Sequence, residues 1–125
     1  MSSNEQWTAL VIDNDDDLLR AVTKRLGALG IRCISAGSGA QGLAEFRASG
    51  ADVVISDLNM PGGDGVELAE AIRKTSDVPI IFVTGFRDDF KRRLRNVTNV
   101  STLRKPFETQ DLLTLVSAAL GESVA

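Results

Sequence analysis

Residues 52–65 read Asp-Val-Val-Ile-Ser-Asp-Leu-Asn-Met-Pro-Gly-Gly-Asp-Gly. Val53 to Ile55 is a β-branched, unbroken apolar run that ends near a carboxylate, Asp57, and then at a Pro-Gly-Gly turn. It is too short for a helix and has no polar alternation, so it reads as a strand covered on both faces. Four more short runs flank it, Thr8 to Ile12, Arg32 to Ala36, Val78 to Thr84, and Val100 to Arg104, of which the first and third are also nearly unbroken apolar stretches. Between them apolar residues recur at helical spacing: Leu18, Val22, Leu26 and Leu29; Ala40, Leu43, Ala44 and Phe46; Val66, Ala69 and Ile72; and a shorter set, Phe90, Leu94 and Val97. A last set, Leu112, Leu113, Val116 and Leu120, is stopped by Gly121 as a C-terminal cap. Strand and helix alternate five times. Parallel neighbours need right-handed crossovers that lay helices on both faces, so the pattern predicts an α/β fold, a flavodoxin-like doubly wound (βα)5 sandwich around a five-stranded parallel sheet.

A chain of 125 residues with 43% hydrophobic content is enough for one core. The expected organisation is an N-terminal extension over 1–6, one domain over 7–121 and a short tail over 122–125. The net charge of −3 gives no reason to expect nucleic acid or an anionic membrane as a partner. No apolar run approaches the ~20 residues that span a bilayer. Cys33 is the one cysteine, lies in an apolar stretch, and reads as a buried free thiol in a reducing, cytoplasmic setting.

In such sheets ligands sit beyond the carboxyl ends of the strands. The residues there are Asp13 to Asp17 after the first run, Asp57 after the third, Thr84 and Gly85 after the fourth, and Lys105 after the fifth. Asp13 and Asp57 at the ends of neighbouring strands would repel unless a cation lay between them. An oxygen-rich, His-free pocket suits Mg2+, which uses one or two carboxylates, keeps several waters and takes a phosphate oxygen; zinc and copper are disfavoured. Lys105 and Thr84 supply a positive charge and a hydroxyl for a phosphoryl group. Taken singly these residues have ordinary roles: Asp15 or Asp16 should cap the first helix, and Asp17 should be solvated. It is their convergence that points to phosphoryl transfer onto a carboxylate.

The motifs Leu-Val-Ile-Asp-Asn-Asp at 10–15, the stretch at 52–65, Ile-Ile-Phe-Val-Thr-Gly at 80–85 and Arg-Lys-Pro-Phe at 104–107 resemble the receiver domain of two-component response regulators, the CheY-like family. The resemblance implies a signalling module, not a stand-alone metabolic enzyme. In it Asp57 is the phosphoacceptor, Asp13, Asn14, Asp57 and the backbone carbonyl of Asn59 hold Mg2+, and Thr84, Lys105 and the Gly85 N–H bind the phosphoryl oxygens. It implies further that the Lys105-Pro106 peptide is cis, that Met60-Pro61 and Gly65 shape the loop beside Asp57, and that Asn59 and Phe86 stand where the family tunes hydrolysis. The donor would be a phosphohistidine on a histidine kinase or histidine phosphotransfer protein, since this chain has no His. A downstream protein would dock on the face of the fourth helix, fifth strand and fifth helix, over Arg87 to Arg104, with the protein a monomer or a phosphorylation-dependent dimer. The basic residues Arg87, Lys91, Arg92, Arg93 and Arg95 otherwise read as a solvated face.

The sequence departs from the family pattern twice. Asn14 stands where the family has a second Asp, which removes one negative charge from the metal pocket. Thr102 stands where it has an aromatic switch residue. These two motivate an alternative, a pseudo-receiver that binds partners with little or no phosphorylation. A second alternative takes Leu10 to Asp15 as the Asp-x-Asp of a haloacid dehalogenase-type phosphatase with Asp13 as nucleophile. It is opposed by the short chain, the lack of Thr or Val after Asp15, and the lack of an acidic pair after Lys105.

Overall fold

The computed structural model describes residues 7–58, 60, 65–85 and 94–121. Five strands, β1 (Thr8–Ile12), β2 (Arg32–Ala36), β3 (Val53–Asp57), β4 (Ile80–Thr84) and β5 (Val100–Arg104), form one parallel sheet in the order β2-β1-β3-β4-β5. The helices among the described residues are α1 (Asp16–Ala28), α2 (Gly39–Ser49), α3 (Gly65–Arg73) and α4 (Thr109–Leu120). Most of the helix expected around Phe90 lies outside the described residues, although Leu94 and Val97 are buried in the core. The doubly wound architecture is as the alternation of strand and helix predicts. β3 runs on to Asp57, beyond the apolar run, because the parallel register continues through Asp57 and Val83. β4 starts at Ile80 and not at Val78.

β1, β3 and β4 are buried almost throughout, and the edge strands β2 and β5 are not. Side chains alternate between two layers. Leu10, Ile12, Val54, Ile80 and Phe82 pack with α2 and α3 through Leu43, Phe46, Val66, Ala69 and Ile72. Ala9, Val11, Val53, Ile55, Ile81 and Val83 pack with α1 and α4 through Val22, Leu26, Leu112, Leu113 and Val116.

Asp15 caps α1 by accepting hydrogen bonds from the N–H groups of Asp17 and Leu18, at 3.0 and 3.2 Å. Asp17 is exposed and pairs with Arg20. α4 ends at Gly121 in the left-handed conformation, φ 76°. Far from the strand C-termini, the Arg73 guanidinium donates to the carbonyls of Thr98, Ser76 and Asn99 at 2.9, 3.1 and 3.1 Å. This ties the end of α3 to the segment that enters β5. Burial pushes the pKa of Arg73 down, partly offset by Asp77.

Two further expectations need correcting. The buried face of α2 runs through Gly39 and Gly42, with Leu43 and Phe46 half-buried, while Ala40 and Ala44 face solvent. The reason is steric: a Cβ at Gly42 would sit 2.5 Å from Cδ1 and 2.9 Å from Cγ1 of Ile12, so the helix rests its backbone on β1. Cys33 is half-buried, not fully buried, because β2 is an edge strand; the desolvation that remains raises its pKa.

The glycines of α1 and α2 should therefore respond oppositely to one methyl group. Gly27→Ala meets nothing within 4 Å and should stabilise by about 0.5–1 kcal/mol through helix propensity. Gly42→Ala should be net destabilising, since overpacking costs roughly 1–3 kcal/mol and outweighs the same gain. Urea denaturation of the two variants checks both signs.

Candidate functional site

The sheet register assembles the site. Ile12 lies beside Ser56, so the next residues of β1 and β3, Asp13 and Asp57, emerge side by side where the strand order reverses. Asp57 lies beside Val83, so Thr84 follows one step along, and Thr84 pairs with Arg104, which places Lys105 just past the end of β5. The Lys105 N–H donates to the Thr84 carbonyl at 2.8 Å. The Lys105-Pro106 peptide is cis, as the resemblance implies.

Asp13, Asp57 and Thr84 are 2%, 7% and 6% exposed, unusually buried for their types. Lys105 Nζ lies 3.2 Å from Asp13 Oδ2 and 3.5 Å from Asp57 Oδ2, so one ammonium serves two carboxylates. The other oxygen of Asp13, Oδ1, accepts the Asp15 N–H at 2.9 Å. Because Asp15 spends Oδ1 on the α1 cap, it supports Asp13 through its backbone and does not offer that oxygen to the pocket. Gly85, next to Thr84, is exposed, and a Cβ there would meet nothing within 4 Å.

The donor set fits a hard divalent cation. Two buried carboxylates face one ammonium, so the donors left for a cation are oxygens with an excess of negative charge. Among the described residues no three His, Cys, Asp or Glu side chains gather as a metal site. Mg2+, which takes one or two carboxylates and keeps several waters, would suit the Asp13 and Asp57 pair.

A family model for the response regulator receiver domain matches residues 9–117. The chain belongs to this family. The receiver is 28% identical over 114 residues to the sensory transduction protein RegX3 of Mycolicibacterium smegmatis, covering 90% of this chain and 50% of that protein. It is 33% identical over 125 residues to the sensor histidine kinase RcsC of Salmonella typhimurium, covering 98% of this chain and 13% of the kinase. The chemotaxis protein CheY4 of Vibrio cholerae superposes with a TM-score of 0.87 at 28% identity, covering 93% of this chain and all of that one. The chain spans half or less of the length of these two curated relatives. It is a receiver domain of two-component systems, a class that works with histidine kinases and generally uses Mg2+. Among the described residues no helix is long and apolar enough to cross a membrane.

Of the residues singled out in the sequence, Asp13, Asp57, Thr84 and Lys105 converge, with Gly85 beside them. Asn14 lies in the exposed bend between Asp13 and the helix cap. Asn59, Pro61, Phe86 and Arg87 to Arg93 lie outside the described residues. Thr102 is exposed on the edge strand β5. The residue that sequence reasoning missed is Ser56, fully buried next to Asp57, with its hydroxyl donating to the Asp57 carbonyl at 2.9 Å. A signal was present, since Ser56 is the one polar residue between the apolar run and Asp57.

Since the two carboxylates repel across a shared cation, Asp57→Asn should raise stability by about 1 kcal/mol in EDTA. A higher urea midpoint at unchanged slope is the expected result.

Proposed function

We propose that this receiver takes a phosphoryl group onto Asp57 from a phosphohistidine of a kinase or phosphotransfer protein. The observation that carries the proposal is the pair of Lys105 contacts at 3.2 and 3.5 Å, which joins the ends of β1, β3 and β5 into one charged pocket. In the transfer an Asp57 carboxylate oxygen forms the new P–O bond as the P–N bond to the donor imidazole breaks, and the imidazole leaves with the bonding pair and takes up a proton. Lys105 neutralises charge on the phosphoryl oxygens, and Thr84 and the Gly85 N–H offer them hydrogen bonds. Asp13, held by the Asp15 N–H and Lys105, keeps its carboxylate beside Asp57. Mg2+, when bound by Asp13, Asn14, Asp57 and the Asn59 carbonyl, supplies charge neutralisation and a point of alignment for the transferred group.

Several features support a module and not a metabolic enzyme. The receiver fold is proposed to occupy 7–121, since the described elements and the family match fill that range. The downstream partner is proposed to dock over Arg87 to Arg104 together with α4, a face on which Arg95, Ser101, Thr102 and Arg104 are exposed. The phosphatase reading loses support because the receiver family model matches residues 9–117, nearly the whole of the described fold. The pseudo-receiver reading keeps both of its supports, the neutral Asn14 beside Asp13 and the exposed Thr102, which offers no ring to turn inward.

Incubation with acetyl phosphate and Mg2+ should add one phosphoryl group by intact mass, lost without Mg2+ and lost in Asp57→Ala. Label retained in Asp57→Ala, or seen only at Asp13, would refute the assignment. An unlabelled wild type at high donor and Mg2+ would favour the pseudo-receiver.

Asn14→Asp restores a negative ligand and should tighten Mg2+ binding roughly tenfold, read by calorimetric titration.

A further inference from the structure

Four polar or charged residues are buried among the described residues: Asp13, Asp57, Thr84 and Ser56. The first three belong to the phosphoryl pocket. Ser56 is 0% exposed and lies between Ile12 of β1 and Phe82 of β4 in the sheet register. It shares the face of β3 that carries Val54, which packs in the apolar cluster with Leu10, Ile12, Val66 and Phe82. An unbonded hydroxyl in such a place costs about 1–3 kcal/mol, and alanine would fill it without that cost. What offsets the cost is a single visible bond, Ser56 Oγ to the Asp57 carbonyl at 2.9 Å.

The same carbonyl is confined from another side. A Cβ at Gly65 would fall 2.6 Å from it, 3.0 Å from Leu58 Cα and 3.1 Å from the Phe82 ring. The Gly65 N–H donates to the Leu58 carbonyl at 2.9 Å, so the first turn of α3 is stitched to the chain just after Asp57. The peptide that joins Asp57 to Leu58 is therefore approached on two sides: a hydroxyl bonds its oxygen, and the backbone of Gly65 passes so close that only a residue without a Cβ fits there.

We propose that Ser56 is a positioning residue for Asp57: its hydroxyl locks the Asp57–Leu58 peptide and so sets the direction in which the reactive carboxylate and the following backbone leave β3. The inference rests on Asp57 being the phosphoacceptor. The physical reason is leverage. Asp57 is the last residue of its strand, with sheet pairing behind it and a loop ahead, and a displacement of ~1 Å at a reacting group can cost on the order of a hundredfold in rate.

The test compares the wild type, Ser56→Ala and Ser56→Thr as full chains. Amide hydrogen exchange at Leu58 and Gly65, the rate of labelling by acetyl phosphate at saturating Mg2+, and the urea midpoint are read together. Ser56→Ala should speed exchange at both amides and slow labelling about fivefold under conditions where the protein is fully folded. Ser56→Thr, which keeps the hydroxyl, should regain most of the rate; if its extra methyl prevents folding, the alanine variant decides alone. Labelling of Ser56→Ala at the wild-type rate, or a folded Ser56→Thr as slow as Ser56→Ala, overturns the positioning role while leaving Asp57 as acceptor. A wild type that takes no label refutes the acceptor assignment, and the positioning role with it, even where exchange depends on Ser56.

Discussion

Two carboxylates are forced together at the point where the strand order of the sheet reverses, and one lysine from the edge of the sheet holds them there. Asp13 and Asp57 occupy neighbouring strand ends because β1 and β3 pair in parallel register, which fixes where their backbones emerge. Lys105 reaches both from the end of β5, two strands away from β3. One positive charge cannot satisfy two negative ones, so the pocket carries a standing electrostatic deficit. That deficit costs stability in the protein alone, and a bound cation would relieve it.

The remaining architecture keeps this arrangement stiff. Both faces of the three central strands are covered, one by α2 and α3, the other by α1 and α4, so the strand ends sit on close-packed layers. A continuous set of polar contacts leads from the first turn of α1 to the centre: Asp15 caps the helix, its N–H holds Asp13, Asp13 meets Lys105, and Lys105 meets Asp57. On the other side Ser56 and Gly65 confine the Asp57 carbonyl. Each part restrains a group that would otherwise be free to rotate out of the pocket.

The two departures from the family pattern fall at different distances from this centre. Asn14 is next to Asp13, and it changes the charge available to a metal without touching the Lys105 contacts. Thr102 is on the edge strand, exposed, and it changes what β5 can present to a partner. The strand-end set Asp13, Asp57, Thr84 and Lys105 matches the family pattern, and the two departures lie beside it and on the edge strand.

Much of this was legible in the sequence, because it depends on local pattern. The limits of β1, β2 and β5 follow from their apolar and β-branched runs, α1 from an acidic cap and 3.6-residue spacing, and the end of α4 from Gly121. The four central site residues follow from their places at strand ends. Tertiary structure decided what no local pattern encodes. Strand order brings Lys105 to Asp13 across 92 residues of chain. The close approach of Gly42 to Ile12 turned the alanines of α2 outward, because a helix that touches a strand through its backbone buries glycine in place of the more apolar residue. The partner of the Ser56 hydroxyl was invisible for a related reason. A serine in a strand is read from sequence as a weak spot in the apolar run, and only the packed sheet, which removes water from around it, makes its one hydrogen bond to the Asp57 carbonyl consequential.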